Sequence, residues 1–286
     1  MQKILGIIVV LGAVVGGFII AGGNVATLWQ PSEFIVIFGA ALGAVVIGAS
    51  KQTLLDIKQQ IVRLFKSSES EETMNKELLI LMYQLVELAK GRGVKALDDH
   101  IENPETSSIF LSFPTVESNP KLVSFICDNM RLLSMGKVTA HDFDYLLDQE
   151  VNALATEKLK ASEIVANTAD AMPGFGILAA VGGIVITMQH LDGPMSEIGY
   201  HVAAALVGTF IGIFACYCLF GPLAQGMETQ VKKDIGQLEV CKAIMVAYAN
   251  GHAALVATDS GRRLLKETAK PSFTEMEQWI NSQEAA

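Results

Sequence analysis

Residues 171–223 read AMPGFGILAAVGGIVITMQHLDGPMSEIGYHVAAALVGTFIGIFACYCLFGPL. They hold two runs without Asp, Glu, Lys or Arg, Ala171–Leu191 and His201–Leu223, split by the short polar link Asp192–Tyr200. A helix rises about 1.5 Å per residue and the hydrocarbon core of a bilayer is about 30 Å thick, so each run is long enough to cross it. Together they predict a transmembrane helical hairpin. The N-terminal region repeats the pattern, with Ile4–Ala21 and Phe34–Ser50 as two further spans and a link running from Gly22 to Glu33. None of the four spans contains an acidic residue, a lysine or an arginine. Ile4–Ala21 exceeds the roughly 7–15-residue core of a cleaved secretory signal, and a second apolar run follows closely, so the first helix reads as retained.

The composition agrees. Of 286 residues, 51% are hydrophobic and only 18% charged, against roughly 25% charged in soluble domains. The net charge of −9 lacks the basic excess that nucleic-acid binding requires. Cys127, Cys216, Cys218 and Cys241 have neither zinc-ligand spacing nor the look of a disulfide framework. There is no phosphate-binding loop, no HExxH and no nucleophile–base arrangement. Gly174 and Gly176 lie in a membrane run rather than a strand–turn–helix context. The sequence therefore predicts a protein that is neither an enzyme nor a cofactor carrier. The fold class is all-α: a polytopic membrane protein with four transmembrane helices and a helical cytoplasmic domain. Its segments are hairpin 1 (1–50), the cytoplasmic helical domain (51–170), hairpin 2 (171–223) and a C-terminal cytoplasmic helical segment (224–286).

Charge fixes the expected orientation. Of the 21 Lys and Arg residues, 13 fall in 51–170, seven in 224–286, and the last is Lys3; neither short link has any. Lys51, Lys58, Arg63, Lys232 and Lys233 lie close enough to span ends for the positive-inside rule to apply. Both termini and the middle segment are thus expected in the cytoplasm. There Leu78, Leu81, Leu85 and Leu88 mark an amphipathic helix over Glu72–Arg92. Leu122–Leu133 and Asp142–Glu163 also read as helices, the latter able to run on into span three, and Met227–Lys270 as one long periodic stretch. Ser272 and Glu275 fit a capping box opening a last helix through Ile280.

Several residues stand out, each with a plain reading beside a functional one. Gly12/Gly16, Gly39/Gly43 and the stripe Ala204, Gly208, Gly212, Cys216 allow close helix approach, either within the chain or against a partner. Thr209 lies well inside the fourth span, and such a threonine is usually satisfied by its own helix. Pro173 and Pro222 mark the cytoplasmic ends of spans three and four; boundary punctuation is the plain reading and a hinge the functional one. At Pro173 a helix start would make the missing N–H harmless. Lys90, Arg92 and Lys95, followed by Asp98, Asp99 and Glu102, form either a solvated loop or a two-signed docking surface. A proton or sodium path normally needs an ionisable or coordinating group at membrane depth. If the chain conducts ions, the carboxylate must come from another chain. A solute transporter would need a polar site within these spans, and a purely structural scaffold would need no ion flow at all.

The chain resembles the MotA family, the larger stator subunits of the bacterial flagellar motor. The resemblance is carried by GxxVVLGxVxGGF (Gly6–Phe18), Gly22-Gly23, Gln30-Pro31 and Glu33, IENPE (Ile101–Glu105) and Phe110. It continues through DAMPGFGI (Asp170–Ile177), ALVGTFIG (Ala205–Gly212), Gly221-Pro222-Leu223 and Lys270-Pro271-Ser272-Phe273, and so runs end to end. It implies a homopentamer around two copies of MotB, a peptidoglycan-anchored subunit whose membrane aspartate binds the proton. Proton passage would turn the rotor through the switch protein FliG, in the inner membrane at the flagellar motor. The family's rotor-facing charges fall on Lys90 and Asp98, and its two coupling prolines on Pro173 and Pro222. Glu150 matches an acid of regulatory or structural role. Sodium-driven relatives carry threonine at the position of Ala180, whereas the other threonine is kept as Thr209. One oxygen fewer favours H+ over Na+. The three-span TonB- and Tol-energising channels are remoter relatives.

Overall fold

The computed structural model describes residues 2–66 and 70–284. In chain order the helices are α1 (Gln2–Ile20), α2 (Pro31–Gly48), α3 (Lys51–Phe65), α4 (Glu71–Arg92), α5 (Asp98–Glu102), α6 (Ser108–Leu111) and α7 (Pro114–Glu117). Then come α8 (Pro120–Ser134), α9 (Ala140–Gln189), α10 (Met195–Phe214), α11 (Gly221–Ala249), α12 (Ala254–Arg262) and α13 (Phe273–Glu284). A six-residue π-helical segment, Ala215–Phe220, joins α10 to α11. Four helices among the described residues are long and apolar enough to cross a membrane. The fold is all-α, as the sequence predicts.

The residues separate into two compact units, 1–67 with 157–231 and 68–156 with 232–286. In the first, α2 packs on the later part of α9 and on α10. Ile37 and Ala41 meet Met172, Ala179, Val207, Ile211, Ala215 and Cys216, with Phe34, Phe38, Phe175 and Phe220 around them. A second cluster sets Ile57 and Ile61 of α3 against Ala161, Val165, Ala224 and Met227. The Gln60 amide nitrogen donates to the Lys158 carbonyl at 2.9 Å, tying α3 to α9. By contrast, Ile4, Leu5, Ile8, Val9, Ile19 and Ile20 of α1 stay exposed, an apolar surface suited to lipid or another subunit.

The second unit is built around α4. Leu78, Leu81, Met82 and Leu85 are fully buried against Ile126 and Met130 of α8, Phe143 and Leu147 of α9, Cys241 and Ile244 of α11, and Met276 of α13. Apolar positions at three- and four-residue spacing bury one helix stripe; here partners on several sides make α4 the core helix. The long stretch after the fourth span does not continue to Lys270. It breaks at Gly251, whose φ of +85° closes a turn that L-residues rarely adopt. The capping box forms: the Ser272 N–H donates to Glu275 Oε2 at 2.7 Å and the Glu275 N–H to Ser272 Oγ at 3.2 Å. The Ser272 N–H holds the Glu275 carboxyl below its ordinary pKa.

Candidate functional site

The site begins where spans three and four touch backbone to backbone. A Cβ added at Gly212 would lie 2.6 Å from the Met172 carbonyl oxygen and 2.9 Å from Gly176 Cα. One added at Gly176 would lie 2.9 Å from the Gly208 carbonyl and 3.3 Å from Thr209 Cα, and Gly183 meets Ala205 in the same way. The helices approach this closely because the sequence places no side chain at the crossing. Ala204, Gly208, Gly212 and Cys216 are all buried inside the chain, so this stripe serves intramolecular packing. Gly12, Gly16, Gly39 and Gly43 meet no such neighbour within 4 Å.

Thr209 and Ala180 lie at this level. Ala179 Cβ stands 3.4 Å from the Cβ position of Gly208, which places the adjacent residues Ala180 and Thr209 beside the crossing. Thr187 behaves as an ordinary helix threonine, its hydroxyl donating to the Gly183 carbonyl at 2.8 Å. Thr209 has no hydrogen bond among the described residues, although a helix offers its hydroxyl the same acceptor. Its oxygen is free to meet something else.

Glu33, which the sequence offers only as one of the residues that carry the family resemblance, is a site residue to which sequence reading gives no role. The second span was expected to start at Phe34 and to be empty of ionisable groups; α2 instead starts at Pro31 and carries Glu33 in its first turn. Proline at that position suits a helix start, since its absent N–H had no intrahelical partner to lose. Glu33 is 6% exposed. Its Oε2 has no hydrogen-bond partner and stands 2.5 Å from where a Gly208 Cβ would be. Gly208 is thus the vacancy that admits the carboxyl group. The signal available in the sequence was that Glu33 is the only acid before Asp56.

The prolines sit differently from expectation. Pro173 is not at a helix start but inside α9, which runs unbroken over 50 residues. Its ring therefore removes a bond to the Ala169 carbonyl within a continuous helix, the costly situation for proline. Met172, fully buried beside it, packs into the second-span contact. Pro222 likewise does not end its helix: α11 continues through it to Ala249. The π-helical segment comes immediately before, with the Gly221 N–H donating to the Cys216 carbonyl. That widened ladder is already one residue out of step where the proline arrives.

In the second unit, Lys90 lies in the last turn of α4 and Asp98 opens α5, on either side of a turn made at Gly93 with φ +82°. Both are exposed, as are Arg92, Lys95 and Asp99. Lys90 Nζ reaches the His252 carbonyl at 3.3 Å. Glu102 belongs elsewhere: it pairs with Arg131 at 2.8 Å. Glu150 accepts from Asn129 Nδ2 at 2.9 Å, and that amide also donates to the Phe125 carbonyl, so the acid joins α9 to α8. Burial pushes the Cys127 thiol up to about 12 and raises Cys241 as well, which leaves both as inert core residues.

Comparison with known proteins supplies the context. Residues 4–93 match the family model described as "Motility protein A N-terminal", and residues 121–240 match "MotA/TolQ/ExbB proton channel family". The chain is similar to "Chemotaxis protein LafT" of Vibrio parahaemolyticus, 48% identical over 99% of this chain and 100% of that one. It is 33% identical to "Motility protein A" of Salmonella typhimurium, over 99% and 96% of the two chains. Among solved structures, the C. jejuni MotAB structure superposes with a TM-score of 0.76 at 19% identity, covering 93% of this chain and 96% of that one. The flagellar MotAB stator complex from Bacillus subtilis gives 0.74 at 22% identity, covering 94% and 98%. At these identities the structural likeness concerns the fold.

Proposed function

The chain belongs to the MotA family, and from that premise we propose that it forms, with a one-span MotB-type subunit, a proton channel that turns the flagellar rotor through FliG. Membership makes it a stator-type component of an ion channel and motor rather than an enzyme. The observation that carries the finer reading is the crossing of spans three and four, where glycines bring the backbones together and leave the Thr209 hydroxyl without a partner. The match of residues 121–240 to a proton-channel family model, which takes in that crossing, supports an ion path beside Thr209 and Ala180.

In this reading five copies surround two MotB-type subunits in the bacterial inner membrane, with both termini cytoplasmic. The exposed apolar face of α1 and the open glycines of the first hairpin suit such an assembly. The partner supplies the membrane aspartate that binds the proton. Ala180 in place of a threonine removes one oxygen that a dehydrated Na+ would need, which favours H+. In the same reading Pro173, inside α9, and Pro222, in the first turn of α11, couple ion passage to movement outside the membrane. Lys90 and Asp98 present opposite charges to the rotor. Lysine lacks the bidentate fork of arginine, so this contact is electrostatic. Glu150, bonded to Asn129, is a structural acid. Expressing the chain with its MotB-type partner in a stator-deleted flagellated cell should restore swimming. Restored motility without the partner, or none with it, would refute the proposal.

A further inference from the structure

Glu33 has a chemistry that the channel reading leaves unused. Its carboxyl group is almost completely enclosed within one chain, yet Oε2 meets no hydrogen-bond donor. Burying a charged carboxylate with one oxygen unsatisfied is costly, and each such group calls for an explanation. The surroundings are specific. The carboxyl group lies over the bare Cα of Gly208, next to Ala179 Cβ, with the Ser32 hydroxyl beside it. No charged side chain pairs with it among the described residues.

Its depth is equally specific. Near the inter-span links, the Tyr200 hydroxyl donates to Gln30 Oε1 at 3.3 Å. Gly208 lies roughly 12 Å farther along α10 at about 1.5 Å per residue. Glu33 itself lies within the first turn of α2, so its carboxyl group reaches Gly208 from the link side, next to the residue that carries the Thr209 hydroxyl. Two features therefore meet independently at one level: an orphaned carboxyl oxygen from α2 and an unpartnered hydroxyl from α10.

We propose that Glu33 is a proton-carrying station of this chain's own on the link-side half of the ion path. A hydronium ion arriving from the side of the two short links gives its proton to Oε2 and leaves as water. Neutral Glu33 then passes that proton to a water beside Thr209, regenerating the carboxylate. From there the proton moves on to the partner's carboxylate. Gly208 acts as a positioning residue, since any side chain there would occupy the space of Oε2. The inference rests on the proton-channel reading and deepens it.

The test uses the full chain with its MotB-type partner in cells carrying a cytoplasmic pH indicator. Proton entry after an external acid step is read for wild type, Glu33→Gln and Glu33→Asp, alongside co-purification with the partner. Glutamine keeps the shape but cannot carry the proton; aspartate keeps the acid but not the reach. The proposal expects Glu33→Gln to assemble normally and lose about tenfold or more of the flux, with Glu33→Asp conducting better than Glu33→Gln. Equal or better conduction by Glu33→Gln makes the carboxyl a packing element and overturns the proposal. So does failure of both variants to assemble. A wild-type pair that admits no protons would instead sink the channel reading, and the relay with it.

Discussion

Replacing Gly212 by alanine tests the close crossing of spans three and four. The new methyl carbon would sit 2.6 Å from the Met172 carbonyl oxygen and 2.9 Å from Gly176 Cα. Ordinary van der Waals contact begins near 3.4 Å, so the two helices must part by roughly 0.8 Å at a contact made of backbone, which cannot turn aside. Overpacking of this kind costs about 1–3 kcal/mol. Alanine returns up to about 1 kcal/mol through its better helix propensity, so the net expectation is a loss of about 1–2 kcal/mol. Gly182 provides the control, because it lies on the same helix as Gly176 with open space around its Cα; Gly182→Ala should be neutral or slightly stabilising. Thermal unfolding of the detergent-solubilised chain reads both, and proton entry in cells should fall for Gly212→Ala alone. Equal melting temperatures for the two variants would mean that the backbones do not meet as described.

Separate charge reversals, Lys90→Glu and Asp98→Lys, should lower torque on a tethered-cell assay while leaving membrane level and partner co-purification unchanged, since both side chains are exposed. Unaltered torque in both would remove these residues from the rotor contact. Ala180→Thr supplies the missing hydroxyl beside Thr209 and should make swimming speed depend on external Na+; no change would leave ion choice to the partner subunit. Asp259 is buried, which pushes its carboxyl up, but Arg263 and Arg262 outweigh that and hold it below its ordinary value. Its contribution is therefore complete above about pH 4, the usual unfolded value, and is lost as pH falls through the lowered folded value. Asp259→Ala should cost about 3 kcal/mol by leaving Arg262 enclosed without its carboxylate, and should flatten the acid limb of a stability–pH curve. An unchanged acid limb would contradict the pairing.

What the sequence disclosed followed from periodicity and exclusion. Spans show as charge-free runs, and the stripe Ala204–Cys216 shows as small residues at four-residue spacing. The Ser272–Glu275 box shows because its chemistry is local. The site at the crossing was half visible: Thr209 and Ala180 are positions on spans, but which of their bonds are satisfied depends on a neighbouring helix. Glu33 was hidden for a related reason. A run of apolar residues marks where a span is free of charge, not where the helix starts, and a carboxyl on the first turn is drawn inward by packing on Gly208. Pro173 misled because propensity locates a break there, whereas the surrounding helix is sustained by the contacts of Met172 and Gly176. Near Pro222, the π-helical segment has no sequence signature separate from the apolar run that contains it.

This chain should conduct protons only together with a carboxylate-bearing partner. The most direct measurement is proton uptake into sealed vesicles containing the purified chain alone, the chain with its MotB-type partner, or the chain with that partner's membrane aspartate changed to asparagine. Only the second preparation should take up protons. Uptake by the chain alone, or undiminished uptake with the asparagine partner, would contradict it.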